Sequence, residues 1–322
     1  HHGRIDPTLC DGYDVSDFRG HTRAFLKIQD GCDHRCTYCA VPGARGPSRS
    51  RPGRDVIGQL GRLAEAGYRE VVLTGVHIGC YEDPEAETRG LAGLLREAVE
   101  VPGIERVRLG SLEPTELTPE LAELIVTEPR VCPHLHIPLQ SGSDRVLARM
   151  GRRYDGESYV RTVRRVTDRL PSCGLGADVI VGFPGETDED FQRTLDIVGR
   201  LPFTYLHVCS YSPRPGTPAA DYAGRADGVE KRRRSRALRA VSRGRSLEFR
   251  RSLVGQKLEV LFEDREDLEP GTATGLSGSY VRVDVQTNQE LANGVAEVEI
   301  TGATPERTEG VVIEGTLRQG SL

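Results

Sequence analysis

No apolar run in this 322-residue sequence approaches the roughly 18 to 20 residues that a membrane-spanning helix needs, so a spanning segment is not expected. Cysteine is sparse, eight residues in all, and no secretory segment is visible. That excludes the dense disulfide framework of small secreted domains and points to free thiols in a reducing, cytoplasmic setting. Internal repeats and low-complexity tracts are absent. A starting methionine is also missing, since the chain opens His1-His2, and we expect a piece of a longer protein or a processed chain. Positive charge is scarce in the last part: from Val254 to Leu322 there are 5 Lys or Arg against 13 Asp or Glu. Negative charge is scarce just before it, because Lys231–Arg251 holds ten Lys or Arg and one acid, Glu248. The net charge of −5 therefore hides an uneven distribution. Length allows roughly two domains, and 37% hydrophobic with 28% charged residues suits a soluble globular chain.

What is present is concentrated between Lys27 and Cys39. There Gly31-Cys32-Asp33-His34-Arg35-Cys36-Thr37-Tyr38-Cys39 carries three cysteines spaced C-x3-C-x2-C, with an aromatic residue before the last. Three thiolates on one short loop can hold three corners of a cubane iron–sulfur cluster, leaving the fourth iron open to a small chelating molecule. Ferredoxin spacings, which supply a cysteine for every iron, are different. Zinc held by the cysteines with His34 as a fourth ligand uses the same residue types and stays open as an alternative. Core packing of all three is the weaker reading, because glycine and charged residues flank them.

From Ala24 to about Pro218, short apolar strands alternate with helical stretches. The pattern predicts strands over Ala24–Gln29, Glu70–Thr74, Arg106–Leu109, Leu135–Pro138, Ala177–Val181 and Tyr205–Ser210. Between them, apolar residues recur at spacings of three and four, as in Val56, Leu60, Leu63 and Phe191, Leu195, Val198, which places them on one helix face. Thr118-Pro119-Glu120 and Thr187-Asp188-Glu189-Asp190 read as helix starts. Six strand–helix units in a row argue a parallel sheet, with the active site in loops at the carboxyl ends of its strands. Lys231–Arg251 reads as a solvated helix or as a phosphate-binding surface. Beyond Val254 the pattern turns to β: Lys257–Phe262, Thr272–Leu276, Tyr280–Val285, Gly294–Ile300 and Gly310–Thr316 alternate apolar and polar residues, which predicts a small closed barrel.

Several blocks carry a family resemblance. They are Lys27-Ile28-Gln29-Asp30-Gly31-Cys32, Val72-Leu73-Thr74-Gly75-Val76-His77-Ile78-Gly79, Leu109-Gly110-Ser111-Leu112-Glu113-Pro114, His136-Ile137-Pro138-Leu139-Gln140-Ser141-Gly142-Ser143, Asp178-Val179-Ile180-Val181-Gly182-Phe183-Pro184-Gly185-Glu186-Thr187 and Tyr211-Ser212-Pro213-Arg214-Pro215-Gly216-Thr217-Pro218. Together they resemble the radical S-adenosylmethionine (radical SAM) methylthiotransferases from about Ala24 to the end. The first, second and last blocks are most similar to the subgroup acting on tRNA threonylcarbamoyladenosine.

The resemblance implies an α/β fold: a partial (β/α)6 TIM-like radical SAM barrel followed by a small all-β TRAM barrel. The implied boundaries are a linker remnant over 1–22, the core over 23–228, a basic connecting helix over 229–253 and the TRAM domain over 254–322. It implies that Cys32, Cys36 and Cys39 ligate a 4Fe-4S cluster whose open iron chelates S-adenosylmethionine. Tyr38 would lie against the adenine or simply pack the loop. Thr74 and Gly75 would meet the methionine amino group. Ser111 and Gln140 would face the same mouth, or cap strand ends. Gly182 would allow close approach of the adenosyl group. The implied reaction cleaves S-adenosylmethionine to methionine and a deoxyadenosyl radical. That radical takes hydrogen from carbon 2 of the adenine beside the anticodon, and a methylated sulfur from a second cluster fills the position.

Implied partners are tRNA and an electron donor such as flavodoxin or ferredoxin, with the protein a cytoplasmic monomer that uses no membrane. The substrate contacts we expect are Arg232, Arg233, Arg234 and Arg236. Only Cys10 precedes the cluster loop, and Cys80, Cys132, Cys173 and Cys209 are scattered, so the family's N-terminal sulfur-donating domain is expected to be absent from this chain. The acidic tail keeps a rival open, a methylthiotransferase acting on a ribosomal protein. A zinc-stabilised RNA-binding protein without catalysis is the rival of another class.

Overall fold

The structure, a computed structural model, describes residues 21–86, 90–265 and 268–319. Cys10 and nearly all of the expected 1–22 linker lie outside the described residues. The core begins with β1 (Ala24–Asp30), whose Ala24, Leu26 and Ile28 are buried while Phe25 is exposed. A short β2 (Arg49–Ser50) runs antiparallel on one edge of it. On the other side β3 (Glu70–Gly75) and β4 (Arg106–Leu109) follow in parallel, with Ala24 opposite Val71 and Glu70 opposite Arg106. A second parallel run contains β5 (His134–His136), β6 (Gly174–Val181) and β7 (Phe203–Ser210). Single bridges, Val107 to Val131 and Ser111 to His136, join the two runs. Six parallel strands thus stand in chain order, as the sequence predicts for a partial barrel.

Parallel neighbours need crossovers, and helices supply them: α2 (Gly53–Glu65), α3 (Leu91–Val99), α4 (Pro119–Thr127), α6 (Gly156–Thr167) and α7 (Asp188–Arg200). A short α1 (Val41–Arg45) follows the cysteines, and α5 (Asp144–Met150) follows β5. The helix starts are held as their sequences suggest. Thr118 accepts from the Leu121 N–H ahead of Pro119, and Thr187 and Asp190 form a reciprocal capping box. The apolar faces, Val56, Leu60 and Leu63 among them, are fully buried against the sheet. The strand predicted at Leu135–Pro138 sits earlier, at His134–His136, because Pro138 has no N–H to give a ladder.

The strands β8 (Lys257–Phe262), β9 (Thr272–Ser277), β10 (Arg282–Gln286), β11 (Val295–Ala303) and β12 (Thr308–Val312) close a barrel in the order β10-β12-β11-β8-β9. Val260, Phe262, Val283, Val298 and Ile300 fill it. Four of the five predicted strands shift at their ends, two of them with a visible cause. Tyr280 has φ 63° and belongs to the turn before β10. The last strand stops at Val312, after which the Thr316 hydroxyl donates to the Ile313 carbonyl at 2.7 Å. The long α8 (Gly228–Ser252) packs along β7 and places Leu238 in the core's apolar cluster and Phe249 in the barrel's. No helix among the described residues is long and apolar enough to cross a membrane.

The two bodies meet on charge. Arg106 and Arg108 flank the fully buried Glu70, with Arg108 Nε donating to Glu70 Oε1 at 2.7 Å and Arg106 Nε to Oε2 at 2.8 Å. The same guanidiniums donate to the carbonyls of Leu276 (3.0 Å), Ser277 (3.1 Å) and Gly278 (2.7 Å) in the barrel.

Candidate functional site

The carboxyl ends of parallel strands lie at one end of a barrel, and the loop carrying Cys32, Cys36 and Cys39 leaves β1 there. Its first turn depends on Gly31, which has φ +76° and whose added Cβ would lie 1.8 Å from the Pro47 carbonyl oxygen. Asp30 accepts from the Gly31 N–H at 2.8 Å and from Lys27 at 2.9 Å. Burial opposes its charge, but Lys27, the Gly31 N–H and Arg45 hold its carboxyl below the ordinary range. The Gln29 side chain, wholly buried, donates to the Asp30 and Gly31 carbonyls and to Ser48 Oγ, and accepts from the His77 N–H at 2.7 Å. One amide therefore fastens the start of the loop to the turn after β3.

Beyond that, the Cys32 N–H donates to Gly46 (3.1 Å) and the Thr37 N–H to the end of α5 at Met150 (2.9 Å). The three cysteines are free and half-buried. Arg152 donates to Cys36 Sγ at 3.2 Å and pairs with Glu113. Cys32 Sγ is 3.6 Å from His77 Nδ1. Burial works against charge on His77, but Cys32, Cys80 and Glu116 push it up to about 12. Burial raises the Cys39 thiol. His34 packs edge-on to His77, with ring centres 4.3 Å apart. Three unoxidised thiols on one loop, partly open and beside a guanidinium, are a donor set that fits an iron–sulfur cluster with an open iron.

The other expected site residues gather unevenly. Thr74 is half-buried and Gly75 exposed at the end of β3; a Cβ on Gly75 would come 2.7 Å from the Gln29 carbonyl. Ser111 is exposed and forms a parallel backbone bridge with His136 on the neighbouring strand. Gln140 is buried with φ 61°, its amide N–H given to Asp178 and its carbonyl taken by Ile180, while its side-chain Oε1 has no partner among the described residues. Tyr38 sits in an apolar cluster with Met150, Phe183 and Tyr211, and burial pushes its hydroxyl up. Gly182 gives its N–H to Glu186 at 2.5 Å, and a Cβ there would meet Lys231 of α8 at 2.5 Å. The adenosyl approach expected at Gly182 is therefore flanked by α8.

On α8 the expected basic quartet divides. Arg232 and Arg236 are exposed. Arg233 is spread over Glu230 (2.7 Å) and Asp188 (2.5 Å). Arg234 is a correction: it is 4% exposed and pairs with Glu186 at 2.7 Å, Glu230 at 2.5 Å and Asp188 at 3.1 Å, so it is not a solvent-facing cation. The reason is helical phase, since Arg234 stands four residues before Leu238 on the face turned to the core. Sequence reasoning assigned no role to Gln29, His77, Glu116, Arg152, His136, Asp178 or His207, although most of them fall inside or beside the quoted blocks.

The radical SAM superfamily model matches residues 26–198, more than half of the chain. The threonylcarbamoyladenosine tRNA methylthiotransferases of Thermotoga maritima and Bacillus subtilis are each 38% identical to it, over 296 and 300 residues and 92% of this chain. The tRNA-2-methylthio-N(6)-dimethylallyladenosine synthase of Zymomonas mobilis is 36% identical over 90% of the chain. The chain spans 65–66% of the length of these relatives. Among solved structures, a radical S-adenosylmethionine methyltransferase, TsrM from Kitasatospora setae, superposes with a TM-score of 0.53 at 22% identity, covering 63% of this chain and 38% of that one. That likeness concerns the fold. The chain belongs to the radical SAM superfamily.

Proposed function

We propose that this chain is the radical SAM core and C-terminal β-barrel of an enzyme that adds a methylthio group to carbon 2 of N6-threonylcarbamoyladenosine beside the tRNA anticodon. The observation that supports it most is the loop of three free thiols at the carboxyl end of β1, in a chain whose relatives are named for this chemistry. Membership of the superfamily implies a 4Fe-4S cluster and S-adenosylmethionine, which together supply a one-electron bond cleavage when bound. Cys32, Cys36 and Cys39 are the residues to hold the cluster. Arg152 offsets thiolate charge at Cys36. Gln140 Oε1 is a free acceptor for an ammonium group, and Thr74 and Gly75, which end β3, are the further candidates to meet it. The barrel beyond Val254 takes the place of a TRAM domain, and a small one-electron carrier such as flavodoxin or ferredoxin is the electron source.

Anaerobic reconstitution tests this directly. The chain should take up four irons and four sulfides and cleave S-adenosylmethionine once reduced, and any one of Cys32→Ala, Cys36→Ala or Cys39→Ala should abolish both. A triple-alanine variant that still holds the full iron and sulfide complement would overturn the assignment. The acidic barrel favours one second reading, a basic ribosomal protein as substrate. Competition between tRNA and such a protein for the reduced enzyme separates the two.

A further inference from the structure

Across the mouth from the cysteine loop, the wall formed by β5, β6 and β7 is polar and continuous. The Tyr205 hydroxyl lies 2.9 Å from His134 Nε2 and 3.0 Å from His136 Nδ1, so it donates to one and accepts from the other. His136 Nε2 reaches Asp178 Oδ2 at 3.2 Å, and His207 Nδ1 reaches the other oxygen, Oδ1, at 3.1 Å. Gly176 makes room for the tyrosine ring, since a Cβ there would lie 2.0 Å from Tyr205 Cζ. The series runs from a closed end to an open one. His134 is buried and stacked on Tyr280 with ring centres 4.6 Å apart, whereas the His207 side chain is 62% exposed. Ser111 pairs with His136, so this wall continues the ring of strand ends that carries Gly75 and Gln140.

Besides His134 Nδ1, which is buried with no partner among the described residues, the proton accounting leaves one ring atom free, at the open end of the series. Burial would raise the Asp178 carboxyl, but His136 and His207 hold it below its ordinary range, so it accepts from both imidazoles. With Nδ1 committed to Asp178, His207 lines a cavity of about 380 Å³ between β7, α8 and the barrel, shared with Tyr205, Tyr280, Arg250 and Arg282. An aliphatic group laid against two imidazoles and a carboxylate would strip them of water and return no hydrogen bond. A group with a hydroxyl or an amide N–H would donate to the free ring nitrogen and satisfy it.

We infer that His207, held in place by Asp178 and His136, reads the substituent on N6 of the target adenine and selects a polar group that donates a hydrogen bond over an aliphatic one. The inference rests on the tRNA reading above. The cysteine loop occupies the β1 side of the mouth, so the β5–β7 wall is the side left for the substrate. His207 is a specificity-determining residue, and Tyr205 and His136 position it through Asp178.

The test uses three anticodon stem-loops of one sequence, bearing threonylcarbamoyl, dimethylallyl or no substituent on the adenosine 3′ of the anticodon. Binding to the reconstituted chain is measured by fluorescence anisotropy at fixed salt. The chain should prefer the threonylcarbamoyl form over the dimethylallyl form by at least about tenfold, because a hydrogen-bonding site rejects a ligand that leaves it unpaired. His207→Leu should bring the two within about twofold, and His207→Gln should restore part of the preference. The exposed position of His207 makes both variants foldable, and their melting temperatures serve as the control. Equal affinity of the unmodified chain for both substituted stem-loops, or a preference that survives His207→Leu, overturns the inference while the tRNA reading stands. Failure of all three stem-loops to bind overturns the tRNA reading itself, and the inference with it.

Discussion

Gln140 carries two costs that an ordinary interior residue avoids. Its φ of 61° is left-handed, which costs a non-glycine residue about 1–2 kcal/mol. Its Oε1 is buried without a partner among the described residues, at a further ~1–3 kcal/mol. The backbone around it is fully engaged, with the N–H on Asp178 at 2.8 Å and the carbonyl on Ile180 at 2.9 Å, so the conformation is imposed by β6. A bound ammonium donating to Oε1 would offset the second cost. Gln140→Gly relieves the strain but adds freedom to the unfolded chain, so its unfolding free energy should stay within about 1 kcal/mol of the parent. Its affinity for S-adenosylmethionine should fall about tenfold or more, the worth of a hydrogen bond to a charged group. Calorimetric titration of the reconstituted protein checks the affinity, and an unchanged value would make Gln140 a strand-end device only.

At the scale of elements, β3 and β4 are joined by a buried cluster rather than by apolar contact alone. Burial would raise the Glu70 carboxyl, but Arg106 and Arg108 hold it at about 2. A carboxyl depressed in the folded state adds stability above its unfolded pKa of about 4.3, and that contribution disappears as the pH falls toward the folded value of about 2. Denaturant unfolding should therefore show an acid limb over that window, shallower in Glu70→Gln. The same substitution should cost about 3–5 kcal/mol near neutral pH, because two guanidiniums stay buried without a counter-charge. The alternating pattern announced these strands and the barrel that follows them, since periodicity is local. The cluster was not legible, because Glu70 finds Arg106 36 positions along the chain and Arg106 finds the Leu276 carbonyl 170 positions along. The candidate site divides in the same way. The three cysteines share one loop and are visible as spacing. His207, by contrast, takes its meaning from Asp178 on the neighbouring strand, and only the fold supplies that neighbour.

For the whole molecule the question is where phosphate can rest. The barrel offers 5 cationic side chains against 13 acidic ones, and acidic surface repels RNA. The connecting helix α8 offers the alternative, but not through the run of adjacent arginines that the sequence suggests. Arg234 is buried among three carboxylates and Arg233 is shared by two. Four of the exposed cations, Arg232, Arg236, Arg239 and Arg243, have spacings of four, three and four residues that align them on one face. The opposite face carries Arg234, Leu238 and Ser242 into the core. Replacing the four exposed arginines by glutamate should weaken tRNA binding and flatten its salt dependence, by roughly 0.7–0.9 log units per lost contact for each tenfold change in salt. Cleavage of S-adenosylmethionine should stay near the parent rate, because none of the four is among the residues expected to hold the cluster or S-adenosylmethionine. Arg233→Glu with Arg234→Glu should behave differently: it sets like charges beside Glu186 and Glu230, so the melting temperature should drop before any RNA is added. Filter binding across a salt series, paired with thermal unfolding, separates the two outcomes. If the stripe reversal leaves affinity and slope intact, phosphate does not rest on α8, and the acidic barrel becomes the docking face for a basic protein.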